Sequence, residues 1–453
     1  MTRTPTPFDV AALERAVPRY TSYPTAPQFG EAVDQITYVE WLEALPAKAA
    51  LSLYVHVPFC DELCWFCACR TQGAKRYAPV ARYLDRVLAE IARVAAHAGP
   101  DRPVARIHLG GGSPTVLAPE DLARLHAALV AAWPGAEGAE FAVEIDPRDM
   151  TPDRVETLGA LGLGRASIGV QDFDPDVQAA IGRAQGYELT RDVIAALRAT
   201  GCGSINIDLL YGLPGQSEAS LADTVERVIG LGPDRLALFG YAHVPWMAKR
   251  QRMIREETLP GTAARRAQAA LAHRILISAG YVAVGIDHFA KPEDALARAA
   301  ADGTLRRNFQ GYTVDPADAL LGFGASAIGA LPGGYVQNDP VTATYQLRID
   351  NGDLAVKKGI RLSHEDAMRR DAIEQVLCSF ALDFARIEAR YGALARPLRR
   401  VVAQLLSAAP AGALEPWRDG FRIAEAWRSH ARLIAAEFDA YLPGSAARHS
   451  LAV

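Results

Sequence analysis

Six short strand-like runs, five of them alternating apolar with polar residues, constrain this chain more than any other feature. They fall at 51–57, 104–109, 139–145, 164–170, 203–209 and 235–241, and the stretches between them carry helical periodicity. Such alternation argues for an α/β body with parallel strands. Parallel strands covered on both faces normally read as unbroken apolar runs, and these do not. Residues two apart share a face, so Leu51, Leu53, Val55 and Val57 oppose Ser52, Tyr54 and His56. Likewise Phe141, Val143 and Ile145 oppose Glu140 and Glu144, and Ile205, Ile207 and Leu209 oppose Ser204, Asn206 and Asp208. A curved sheet with a polar interior accounts for this: a partial or full (β/α) barrel holding a polar ligand. His56, Glu144, Gln171 and Asp208 then stand at the C-terminal strand ends, where βα barrels put their chemistry.

The first run leads straight into Cys60-x3-Cys64-x2-Cys67, with Cys69 two residues on. Three thiolates on one tight loop can hold three corners of a cubane iron–sulfur cluster and leave the fourth iron open to an outside molecule. A structural zinc site usually draws ligand pairs from separated points of the chain, and no second Cys or His pair stands downstream. A disulfide framework suits short exported chains. The opening MTRTPTPFDVAALERAVPRY has no apolar core of a leader, so a cytosolic protein is expected. Cys202 and Cys378 stand in apolar surroundings and read as buried small hydrophobes. After the second run comes Gly110-Gly-Gly-Ser-Pro-Thr115, which lacks the Lys and spacing of a phosphate loop. Its glycines would let backbone approach a ligand closely.

At 453 residues the chain has room for two or three domains. We expect an N-terminal arm over 1–35, a barrel over 36–290, barrel extension and active-site loops over 291–349, and a mainly helical domain over 350–453. Helices are expected at 77–97, 119–132, 188–199, 217–230 with Ser217 as cap, and 263–279, with a further strand within 280–289. Residues 290–345 show no strong period, and a winged-helix-like piece is expected near Gly420. The net charge of −4 argues against broad nucleic-acid binding, and no stretch approaches the roughly 18 apolar residues of a membrane span.

The cysteine loop, together with PRYTSYPT, SIGVQDF, IDLLYGLPGQ, DHFA and RNFQGYT, resembles the oxygen-independent coproporphyrinogen III oxidases, also called coproporphyrinogen dehydrogenases. These are radical S-adenosylmethionine (SAM) enzymes, and the resemblance runs from about residue 18 into the C-terminal helices. It implies a radical SAM (β/α) barrel, oxidative decarboxylation of two propionates of coproporphyrinogen III to vinyl groups, a [4Fe-4S] cluster and two molecules of SAM. Carried over by position, Cys60, Cys64 and Cys67 bind the cluster. Tyr54, Gly111, Glu144 and Ile328 line the first SAM, and Phe66, Gly112, Ser113, Gln171, Arg183, Asp208 and Ala242 the second. Tyr54, His56, Cys69, Glu144, Phe309 and Gln310 match positions tied to activity. Ser113 stands where the family more often has Thr, and a hydroxyl is kept.

A monomer is expected, its cluster recharged by an acidic one-electron donor such as flavodoxin, for which Arg70, Lys75 and Arg76, just past the cysteine loop in sequence, offer a docking patch. The substrate carries four carboxylates, and Arg19, Arg306 and Arg307 are candidates to hold them. Two alternatives share the barrel: a haem carrier derived from such enzymes, and a related radical enzyme that modifies a tetrapyrrole. The carrier typically lacks the fourth cysteine and the PRYTSYPT arm, both present here.

Overall fold

The computed structural model describes residues 15–442, so the first part of the expected arm, the leader reading and the last residues of the expected helical domain lie outside the described residues. The chain forms two compact units that interleave in sequence. The first comprises Phe29–Leu259 and Asp315–Arg361, and the second takes the chain up to Gln28, Pro260–Val314 and the part from Leu362 onward.

In the first unit the six expected runs are strands β1 (Leu51–Val57), β2 (Val104–Gly111), β3 (Glu140–Ile145), β4 (Leu163–Gln171), β5 (Ser204–Tyr211) and β6 (Arg235–Gly240). Four more, β7 (Ala319–Phe323), β8 (Ile328–Leu331), β9 (Gly334–Asn338) and β10 (Val356–Arg361), lie in the second of its two chain segments. The sheet order is β10-β9-β8-β7-β1-β2-β3-β4-β5-β6. All neighbours from β7 through β6 are parallel, and the last three strands join antiparallel. Strands β1 to β6 follow one another in chain order, as in a partial or full (β/α) barrel.

Helices α1 (Ala78–Ala98), α2 (Pro119–Ala132), α3 (Pro152–Ala160), α4 (Tyr187–Ala199) and α5 (Glu218–Gly230) fill the crossovers. Helix α1 buries Val80, Tyr83, Leu84, Val87, Ile91 and Val94, the stripe that its 3.6-residue period puts on one side. Helix α5 begins at Ser217, whose hydroxyl accepts from the Ser220 N–H while the Ser220 hydroxyl accepts from the Ser217 N–H. The apolar face of β1 is sealed, with Leu51, Leu53, Val55 and Val57 at most 2% exposed. The polar face is not a solvated one either. Ser52, His56 and Arg106 are buried, Ser52 donating to Asp315 at 2.5 Å and Arg106 pairing with Glu140 at 3.0 Å.

The second unit contains the helix Thr262–Ser278 and then two short strands, Val282–Val284 and His288–Ala290, where one was expected. Gly285 turns the chain between them at φ +58°. A hairpin pairs Arg306–Asn308 with Gly311–Thr313. From residue 362 the chain is mainly helical, with a three-stranded sheet in the order Ala381–Leu382, Gly420–Ile423, Leu414–Trp417. The two-residue turn Arg418-Asp419 has positive φ at both positions, as tight hairpins need. Val17, Tyr20 and Tyr23 pack into the core of this unit with Met368, Leu377 and Phe438. Tyr20 donates to Asp439 at 3.0 Å, so this part of the arm is anchored by both packing and hydrogen bonding.

Residues 290–345 are more ordered than their sequence suggests, holding the helix Ala295–Asp302, the hairpin and strands β7 to β9. Their strands are only three to five residues long, too short to express a period.

Candidate active site

The cysteine loop starts where β1 ends. Cys64 is buried, Cys60 and Cys67 half-buried and Cys69 exposed, and all four are free thiols. Burial and the neighbouring Cys67 and Cys64 push the Cys60 thiol up to about 12. Cys67 goes the other way, down to about 6, because Cys69 hydrogen-bonds it and Arg250 and Arg183 stand near. Arg148 Nη2 and Arg183 Nη1 each lie 3.3 Å from the Cys64 sulfur. Among the described residues no three His, Cys, Asp or Glu side chains converge as ligands of one ion. A cubane takes its thiolates on different irons, and three free thiols on one loop, with guanidinium groups beside Cys64, supply donors of the kind it needs.

Gly111 and Gly112 are required by backbone conformation and by the backbone beside them, while Gly110 stands against the tip of one side chain. A Cβ on Gly110 would stand 2.8 Å from the Glu144 carboxylate carbon, and one on Gly112 would stand 2.4 Å from the Phe59 carbonyl oxygen. Gly111 has φ +110°, and a Cβ there would meet the His56 ring at 2.6 Å. These approaches assemble a polar group across β1, β2 and β3. The Gly111 N–H donates to Glu144 Oε2 at 3.0 Å, His108 Nε2 lies 3.3 Å from Oε1, and Tyr54 Oη lies 3.0 Å from His56 Nδ1. Burial raises the Glu144 carboxyl, but His108, the Gly111 N–H and His56 outweigh it and hold it below its ordinary value. Gly322 of β7 pairs with Tyr54, and a Cβ on it would lie 2.7 Å from the Ile328 carbonyl, which puts the Ile328 backbone beside the same strand.

A second group forms around Arg183, which is 5% exposed. Besides Cys64 it reaches Asp146 at 2.9 Å, the Gly169 carbonyl at 2.6 Å and Gln185 Oε1 at 3.0 Å. Gln171 ends β4 at a register shift, in the left-handed region at φ +71°. A Cβ on Gly169 would find the Gln171 amide at 3.2 Å and Arg183 Nη2 at 3.3 Å, so both tips lie over Gly169. Asp208 pairs in register with Gly169 and accepts from Asn206 at 2.8 Å and Ser167 at 3.3 Å. Ser113 donates to Asp149 at 2.5 Å, and burial pushes that carboxyl up to about 6. Phe66 and Ala242 are joined through Gln251, whose Nε2 donates to their carbonyls at 2.6 and 3.1 Å.

The structure thus brings most of the expected site residues together at the ends of parallel strands. Phe309 and Gln310 belong to the second unit, at the tip of the hairpin, with Arg19, Arg306 and Arg307 in the same unit. His108, Asp146, Arg148, Asp149, Gln185 and Gln251 are site neighbours that sequence reasoning left out. His108 shares the polar alternation of β2, and Asp146 and Arg148 stand just past β3, so their positions carried a signal. Gln251, in a short turn after β6, carried none.

Residues 54–228 match the radical SAM superfamily. The chain is 48% identical to the oxygen-independent coproporphyrinogen III oxidase of Bradyrhizobium diazoefficiens, over 97% of this chain and 98% of the relative. It is 40% identical to that of Pseudomonas aeruginosa, over 94% of both chains. Among solved structures it resembles the coproporphyrinogen III oxidase of Escherichia coli, described as a radical SAM enzyme. That match has a TM-score of 0.90 and 36% identity and covers 96% of this chain and 99% of the other.

Proposed function

From the chain's membership of the oxygen-independent coproporphyrinogen III oxidases, a family of radical SAM enzymes, we infer its reaction and the residues that serve it. It converts two propionate side chains of coproporphyrinogen III to vinyl groups by oxidative decarboxylation, giving protoporphyrinogen IX in anaerobic haem biosynthesis. When bound, a [4Fe-4S] cluster with SAM supplies the one-electron chemistry that removes hydrogen from an unactivated carbon.

The chain's own residues bind, orient and shield. Cys60, Cys64 and Cys67 would hold the cluster, with the Arg148 and Arg183 guanidinium groups beside the Cys64 sulfur. Tyr54, Gly111, Glu144 and Ile328 line the first SAM. In support, Glu144 is kept ionised and can accept from hydroxyl or ammonium groups. Phe66, Gly112, Ser113, Gln171, Arg183, Asp208 and Ala242 line a second SAM, a reading supported by the polar tips gathered over Gly169. His56 and Cys69 serve the reaction beside the cluster loop, and Phe309 and Gln310 from the hairpin. Abstraction of one chosen hydrogen demands a dry, tightly positioned site, which the buried polar face of β1 favours.

An acidic, flavodoxin-like donor recharges the cluster, docking on Arg70, Lys75 and Arg76, all exposed beside the loop. The protein works as a monomer in the cytoplasm. No helix among the described residues is long and apolar enough to cross a membrane.

The observation that carries this reading is the loop of free thiols at the end of β1, with Arg148 and Arg183 on Cys64. Its test is anaerobic incubation with SAM, reductant and coproporphyrinogen III. Release of CO2 with formation of 5′-deoxyadenosine is expected. A reconstituted protein that forms neither, or that keeps bound haem and makes no vinyl product, is not this enzyme.

A further inference from the structure

The hairpin of the second unit holds polar atoms that the protein itself leaves unsatisfied. Arg307 lies with its guanidinium carbon 4.4 Å from the centre of the Tyr312 ring, and its Nη2 donates to the Arg19 carbonyl at 3.3 Å. Its Nε and Nη1 are buried and have no hydrogen-bond partner. On the same hairpin the Gln310 Nε2 is also buried and unpartnered. Buried donors are nearly always paired, and a charged one left bare is among the costlier defects a fold can keep.

The nearby acids do not fill the gap. Asp287 takes the ring of His288 at 2.7 Å, and Glu374 accepts from the Arg307 backbone N–H at 3.1 Å. Asp287 is held at about 2 against burial by His288, Arg307 and Arg19, which marks the surroundings as electropositive. Arg306, next in the chain, is exposed. Every unsatisfied atom is a donor, so the missing partner is an acceptor, and beside a guanidinium an anionic oxygen suits best.

We propose that Arg307, with the Gln310 amide on the same hairpin, binds a propionate carboxylate of coproporphyrinogen III. This rests on the function inferred above and selects one arginine from the three that sequence offered. SAM also carries a carboxylate, so the two sources must be separated.

The test uses the full-length protein with its cluster reconstituted, as wild type, Arg307→Gln and Arg307→Lys. Binding of coproporphyrin III and of its tetramethyl ester is read by tryptophan fluorescence, and binding of SAM by equilibrium dialysis. Arg307→Gln should weaken the free acid about tenfold or more, leave the ester and SAM unchanged, and raise KM for coproporphyrinogen III more than it lowers kcat. Arg307→Lys, which keeps the charge, should lose less and covers the case in which the glutamine variant does not fold. Unchanged acid binding overturns the proposal. So does equal loss of acid and ester, which would make Arg307 a support for the hairpin, and so does loss of SAM alone. A wild type that binds the porphyrin but releases no CO2 would defeat the inferred reaction and leave the carboxylate site standing.

Discussion

Arg183 touches Cys64, Asp146, the Gly169 carbonyl and Gln185 at once, so its loss has two meanings. Removing it strips a buried carboxylate of one of its two guanidinium partners, since Arg148 remains at 2.7 Å from Asp146. Arg183→Ala should therefore cost about 3 kcal/mol of stability in anaerobic denaturant titration, whatever it does to SAM. Gln171 separates the two effects. Its left-handed φ of +71° is unfavourable for a side chain, so Gln171→Gly should keep stability or raise it by up to about 1 kcal/mol. Activity should still fall and, on the two-SAM reading proposed above, SAM bound per cluster should drop from two to one in equilibrium dialysis. A full complement of SAM in that variant would remove Gln171 from the site. Gly112→Ala should lower both iron content after reconstitution and turnover, because the added methyl meets the backbone of Phe59 at the start of the cysteine loop. At this scale the types of residue were legible, since cysteines, glycines and strand-end carboxylates announce their chemistry. Their partners were not: Gln251 ties Phe66 to Ala242 from a turn far along the chain.

Among the elements, α5 behaves as its sequence indicates, and Ser217→Ala should cost about 1 kcal/mol in a thermal melt with turnover unchanged. Helix α1 carries a less visible feature. Glu90, 1% exposed, accepts from the Gly324 N–H at 2.7 Å, Asn338 Nδ2 at 2.6 Å and Tyr345 Oη at 2.7 Å, fastening the helix to the segment around β7 and β9. Burial outweighs these bonds and pushes its carboxyl from 4.5 up to about 7. The folded protein thus holds this proton more tightly than the unfolded chain does. The stabilisation is complete below pH 4.5 and is lost as pH rises to about 7. Over that window the urea midpoint of the wild type should fall relative to Glu90→Gln, by an amount equivalent to roughly 3 kcal/mol. Parallel pH profiles would mean that the carboxyl titrates in its ordinary range. Strands β1 to β5 were legible because two-residue alternation persists over six to nine residues, and β6 was legible as a short apolar run after a helix. Strand β7, ALLGF, is buried at every position and has no alternation to read.

For the whole molecule, the exposed Arg70, Lys75 and Arg76 set an expectation about its electron donor. Reversing the charge of Lys75 and Arg76 should slow reduction by flavodoxin severalfold, more at low salt than at high, and leave dithionite reduction intact. Equal loss with both reductants would remove the docking patch. The amino-acid order by itself determined the parallel α/β body, the polar face of its strands and the three-thiol loop. These are local properties, set by the two- and 3.6-residue periods and by spacing along one short segment. Only the tertiary structure decided that residues 319–361 complete the sheet that begins at Leu51, because β7 lies beside β1 through pairing across more than 260 residues. It also decided which polar atoms find partners and which, on the Arg307 hairpin, are left to a ligand. Hydrogen-bond satisfaction is a property of the packed chain, and no residue carries it alone.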